Sequence, residues 1–146
     1  MSTPLHIVCP HCHTTNRVHA EQLVSAPTCG NCKQVLFNAQ SVALDETSFD
    51  KHVSRNHIPV LVDFWAPWCG PCLQMAPAYE QAAAQLEPHV RLGKVNTEAV
   101  LAIGARFAIR SIPTLALFID GREVARRTGA SSTGDIVRWV RALVPP

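Results

Sequence analysis

The chain has 146 residues, is 47% apolar, and carries 13 Lys and Arg against 11 Asp and Glu, a formal net charge of +2. That composition provides for a packed core and excludes a disordered chain, and a charge so close to neutral leaves no basic footprint for nucleic acid. No run of 18 apolar residues could span a bilayer, and Met1–Pro10 lacks the basic start and apolar stretch of a secretory signal, so a cytoplasmic protein with no membrane contact is expected.

Residues 1–40 read as a module of their own. They hold Cys9-Pro-His-Cys12 and Cys29-Gly-Asn-Cys32 in short polar stretches, with few large apolar side chains between. Such a segment cannot bury enough surface to offset its conformational entropy without a staple. The spacing C-x2-C-x16-C-x2-C fits a four-thiolate tetrahedral site. One structural Zn2+ per chain, held by Cys9, Cys12, Cys29 and Cys32, is therefore expected. Iron in the same ligand set, or two disulfides, are the alternatives. His11, His13 and His19 lie nearby, but four cysteines already fill the site.

Residues 41–146 alternate strand-like and helix-like patterns, the mark of an α/β domain. Ser41–Leu44 suits a short strand. Thr47 looks like an N-cap, with Asp50 three residues on, opening a helix through about Arg55. Ile58–Trp65 is a continuous apolar run and predicts a strand buried on both faces. A helix follows from about Cys69 to Leu86, with Pro77 expected to kink it. Val90–Val95 is a strand, Glu98–Phe107 a helix, and Leu115–Ile119 a strand. Asp120-Gly121 is a hairpin signal before a returning strand over Glu123–Thr128. Thr133 is expected to cap an amphipathic helix through Leu143, stopped by Pro145 and Pro146. The order is β-α-β-α-β-α-β-β-α.

Cys69-Gly70-Pro71-Cys72 falls between a buried strand and a helix start. Pro71 suits a first helical turn, where its missing N–H costs nothing. A helix N-terminus presents unpaired N–H groups and a positive dipole end, which stabilise a thiolate, the nucleophilic form of cysteine. Cys69, at the exposed mouth, is expected to attack a disulfide, and Cys72, one turn on and more buried, to resolve the product. Asp63 is a charge inside an apolar strand, where desolvation raises a carboxyl's proton affinity.

Asp63-Phe-Trp-Ala-Pro-Trp-Cys-Gly-Pro-Cys72, followed by Ser111-Ile-Pro-Thr114, resembles the thioredoxin family over residues 41–146. The four-cysteine front end adds a resemblance to its bacterial zinc-binding members over the full chain. The resemblance implies a thioredoxin fold, a central mixed sheet flanked by helices, preceded by a zinc-ribbon-like module. It implies a protein-disulfide reductase and electron carrier that works as a monomer, is recycled by an NADPH-dependent thioredoxin reductase, acts on oxidised client proteins, and holds no organic cofactor. Carried over residue by residue, it makes Asp63 the general base for Cys72 and places Lys94 near that carboxylate. It makes Ile112-Pro113 a cis-proline loop facing the active cysteine. Trp68, Gly70, Pro71, Gly129 and Ala130 complete the docking face; Trp65 reads as core packing. Leu73 departs from the many members that carry Lys or Arg after the second cysteine, which bears on client and reductase preference. The competing reading is a zinc-module redox sensor or protein-docking adaptor whose dithiol serves a specialised client.

Overall fold

The computed structural model describes residues 3–144, so the two prolines expected to stop the last helix lie outside the described residues. An antiparallel hairpin, β1 (Pro4–Val8) and β2 (Thr15–His19), opens the chain. The remainder runs β3 (Val42–Ala43), α1 (Phe49–Arg55), β4 (Val60–Trp65), α2 (Gly70–Leu86), β5 (Arg91–Asn96), α3 (Leu101–Arg106), β6 (Thr114–Ile119), β7 (Arg122–Thr128) and α4 (Thr133–Leu143). This is the expected order, folded as one mixed sheet, β3-β5-β4-β6-β7.

The apolar run of β4 takes the centre of the sheet, parallel to β5 and antiparallel to β6. Strand alternation then sorts its side chains. Val60, Val62 and Phe64 pack with Phe49 and Val53 of α1 and Ile103 of α3. Leu61 packs on the opposite face with Met75, Tyr79 and Leu86 of α2 and Ile136 and Val140 of α4. Asp63 shares Leu61's parity and so faces α2. The β6–β7 turn carries positive φ at both Asp120 (53°) and Gly121 (80°), the left-handed pair that suits the twist of a two-residue hairpin.

The helix starts differ in detail from the sequence reading. Asp45, not Thr47, serves the start of α1: its carboxylate accepts from the N–H groups of Thr47 (2.9 Å) and Ser48 (2.8 Å). Ser132 rather than Thr133 caps α4, its Oγ accepting from Asp135 N at 3.1 Å. Thr133 instead donates to Ala78 O at 3.1 Å and ties α4 to α2. Helix α2 runs through Pro77 as one element.

The front segment has more structure than its polar appearance suggests. Ile7, Val18, Leu23 and Leu36 form a small core around Cys9 and Cys29, and Ile58, just before β4, closes it. Polar contacts fasten the same seam: Val8 N donates to Asn56 Oδ1 at 2.7 Å, and His57 N to His6 O at 2.8 Å. Arg91, fully buried at the head of β5, donates from Nη2 to Val8 O at 2.9 Å.

Candidate functional site

Cys69 is the N-cap of α2, in extended backbone, with Gly70 and Pro71 in the first turn. It is joined to Cys72 in a disulfide, so the structure is the oxidised form of this pair. Cys72 N donates to Cys69 Sγ at 3.2 Å. The sulfur therefore sits where an unpaired helix N–H and the positive end of the dipole both favour negative charge. Cys69 is only 5% exposed and Cys72 2%, so the expected contrast between an open and a closed cysteine is small. Their surroundings differ more. Cys69 Sγ lies 3.8 Å from Ile112 O, whereas Cys72 lines a cavity with Asp63.

That cavity, about 140 Å³, is bounded by Asp63, Trp65, Cys72, Leu73, Ala76, Tyr79, Glu80 and Lys94. Asp63 is 5% exposed and its Oδ1 has no hydrogen-bond partner. Burial pushes its carboxyl up to about 7; Lys94 opposes the rise and Glu80 adds to it. Lys94 is the residue paired with Asp63 across the parallel β4–β5 ladder. Its Nζ lies 3.9 Å from Glu80 Oε2. Glu80 was not singled out from sequence. The available signal was spacing: Cys72, Ala76 and Glu80 recur at helical intervals on one face of α2.

Above the dithiol, Ile112 packs against Cys69, Cys72 and Ala66. The Ile112–Pro113 peptide is cis. Gly129, at φ +91°, donates its N–H to Pro113 O at 2.9 Å, which brings the Gly129-Ala130 loop against the proline loop. Trp68 is 70% exposed and Leu73 52%, so both present apolar surface next to the pair. Trp65 is half-buried and packs against the dithiol.

The other four cysteines form a separate cluster. Cys9, Cys12, Cys29 and Cys32 place their sulfurs within 4.8 Å of one another, two of them fully buried. Cys9 and Cys32 are 3.6 Å apart, as are Cys12 and Cys29. Four sulfurs at about 2.3 Å from a tetrahedral Zn2+ sit close to these separations from one another. Backbone N–H groups already point at the sulfurs: His11 N to Cys9 Sγ at 3.3 Å and Asn31 N to Cys29 Sγ at 3.3 Å. Donors so placed favour thiolate, the form that binds metal. Burial, with the neighbouring Cys32 and Cys12 thiols, pushes the Cys9 thiol up to about 12 against the N–H groups of Cys12 and His11, a cost that a cation held by the four sulfurs would reverse. The donor set fits zinc. Among the described residues no helix is long and apolar enough to cross a membrane.

A family model described as Thioredoxin matches residues 40–142, and a zinc-ribbon model described as Thioredoxin 2, N-terminal, matches residues 8–34. The chain is 44% identical to thioredoxin C-3 of Corynebacterium nephridii, over 92% of each chain. It is 44% identical to thioredoxin 1 of Synechococcus elongatus over 62% of this chain and 84% of that one. With thioredoxin of Haemophilus influenzae the identity is 41%, over 66% and 91%.

Proposed function

The chain belongs to the thioredoxin family and is a thiol–disulfide oxidoreductase, and from that premise we propose that it reduces protein disulfides, with Cys69 attacking and Cys72 resolving. The observation that carries the assignment is the N–H···S contact at the start of α2, which supports Cys69 as the sulfur that holds the thiolate. In the reduced protein the Cys69 thiolate attacks one client sulfur, and the other leaves as a thiolate. Cys72, giving its proton to the Asp63 carboxylate, then attacks Cys69. The Cys69–client bond breaks and the client departs with its second sulfur as a thiolate; the two client sulfurs take up the proton held by Asp63 and one from solvent, the two electrons having come from the Cys69–Cys72 pair. An NADPH-dependent thioredoxin reductase restores the dithiol. The client lies across Trp68, Gly70 and Pro71, Ile112-Pro113 and Gly129-Ala130, pairing in extended form with the backbone at Ile112. Coupled reduction of insulin disulfides by NADPH and thioredoxin reductase is the direct test. No NADPH consumption above the reductase alone would refute it.

We assign residues 1–40 to a module that holds one structural Zn2+ through Cys9, Cys12, Cys29 and Cys32, and residues 41–146 to the redox domain. Such a metal supplies folding energy and, with all four positions taken, no catalytic step. A reducing cytoplasm suits both thiol sets. The protein is expected to carry one zinc per chain, and Cys29→Ser to lose it. Metal loss should expose residues 3–37 to protease while attack on a small soluble disulfide continues, because Cys69 and Cys72 belong to another core. Full zinc content in the Cys29→Ser protein would count against this ligand set.

Asp63→Asn removes the base but not the nucleophile. Resolution by Cys72 should slow while first attack by Cys69 is unchanged, and the slowing should be greatest around and just above neutral pH, where the wild-type carboxylate is free to take the proton, and shrink at low pH, where that carboxyl is already protonated. Stability has its own signature. A carboxyl whose proton affinity is higher folded than unfolded costs nothing below the unfolded value of about 4, and the cost grows until pH passes the folded value. Asp63→Asn should therefore raise the melting temperature at pH 8 and leave it nearly unchanged at pH 4. Equal gains at both would show that its charge is not what strains the fold.

A further inference from the structure

Glu80 has no part in the sulfur chemistry above, yet its carboxylate is tightly held. Ser41 N donates to Oε1 at 2.8 Å and Ser41 Oγ to Oε2 at 2.5 Å. A side chain on a half-exposed helix face would ordinarily sample several rotamers; two donors on one short segment hold this one in place. The held carboxylate lies 3.9 Å from Lys94 Nζ and lines the same cavity as Asp63 and Cys72.

We propose that Glu80, clamped by Ser41, is a positioning residue that sets the proton affinity of Asp63, by drawing Lys94 to itself and by adding a second negative charge to the cavity. Its part in turnover rests on the reading of Asp63 as the base for Cys72. Lys94 is Asp63's partner in the β4–β5 register, and the two residues line one cavity. Among the described residues, however, the only carboxylate within ion-pair distance of Lys94 is that of Glu80. The cation that would otherwise hold Asp63 ionised is thus shared with a competitor. Both consequences act in the same direction as burial, the larger cause, and together with it keep a proton on Asp63 until near-neutral pH.

Burial is the largest cause of the raised affinity, and Glu80 is the charge that adds to it. The titratable groups facing Asp63 are Lys94 from β5 and Glu80, Tyr79 and Cys72 from α2. Strand β6 presents Leu115 at the paired position, and Arg127 of β7 stands one strand further out, donating to Ser131. Tyr79 is itself engaged, donating to Leu61 O at 3.1 Å and Gly93 O at 2.6 Å. Ser41 follows directly on the front module, so the junction between the two parts of the chain reaches the proton of the active site through one hydroxyl, one N–H and one carboxylate.

The test uses the full-length oxidised protein and its Glu80→Gln and Ser41→Ala variants. The Asp63 carboxyl carbon is followed by 13C NMR across pH in these oxidised proteins, and the rate of the resolving step is measured over the same range on mixed disulfides formed from their reduced forms. Glu80→Gln should lower the Asp63 midpoint by about one pH unit, the low end of what a close charge imposes. Ser41→Ala should move it the same way by less. Adding Lys94→Met to Glu80→Gln should raise it again. A role confined to structure would leave the midpoint in place. An Asp63 midpoint unmoved or raised by Glu80→Gln overturns the proposal, even if Asp63→Asn still slows resolution. A midpoint that falls while the acid limb of the rate profile stays put supports the placement of Glu80 and refutes Asp63 as the base.

Discussion

Cys69→Ser should abolish turnover of protein disulfides, and Cys72→Ser should convert the protein into a trap that accumulates mixed disulfides through Cys69. The asymmetry does not come from exposure, since both sulfurs are nearly covered. It comes from position on α2. Cys69 precedes the helix and accepts the N–H of Cys72, so its thiolate replaces water with a fixed donor and the dipole. Cys72 lies one turn inside, lining the Asp63 cavity. Without Cys69 no thiolate stands at the surface, and the rate should fall to that of the uncatalysed exchange. Without Cys72 the first attack proceeds, but the mixed disulfide has no internal thiol to release it. Mass spectrometry of the two variants after exposure to an oxidised client decides the matter. Clients linked to Cys72 in the Cys69→Ser protein would reverse the assignment.

Glu87→Ala should destabilise the whole protein by about 3–5 kcal/mol, the cost of leaving one member of a buried ion pair without its partner. Arg91 Nη1 lies 3.1 Å from Glu87 Oε2, with side chains 1% and 4% exposed. The other end of the guanidinium holds Val8 O, and its carbon sits 4.6 Å over the Phe37 ring. Glu87 Oε1 also accepts from Ala39 N at 2.7 Å. Truncation therefore orphans a buried cation and a backbone donor at the seam between the front module and the sheet. The melting temperature should drop by roughly 6–20 °C, at about 2–4 °C per kcal/mol for a chain near this size. Glu87→Leu combined with Arg91→Met should be milder than Glu87→Ala alone, because a well-packed apolar pair can replace a buried ionic one. A double variant at least as unstable as the single would mean that shape, not the unpaired charge, sets the loss.

The seam changes how the front module is understood. Read as sequence, residues 1–40 are two polar knuckles with almost no core. In the fold they bury Ile7, Val18, Leu23 and Leu36 against Ile58, and Val8 is held from both sides by Asn56 and Arg91. Periodicity missed this because each strand of the hairpin has five residues, too few for alternation to stand out from chance. A single apolar residue such as Ile58 also reads as the start of the strand that follows it, when here it belongs to the neighbouring core.

Local covalent spacing is what the sequence by itself determined. The C-x-x-C pair before a helix, the two knuckles with their C-x2-C spacing, the apolar run of β4 and the order of nine elements after residue 41 all depend on residues a few positions apart, where helix and strand geometry set the outcome. Apart from Asp63, which its apolar strand already marks as buried, only the tertiary structure decided which charges are buried and whom they meet. Arg91 and Val8 are 83 positions apart, and Ser41 and Glu80 are 39 apart. In a sequence each of these charged residues reads as surface, because a charge carries no mark of its partner. The energy of burying it depends on what packing brings within a few ångströms, and that distance exists only once the sheet has formed.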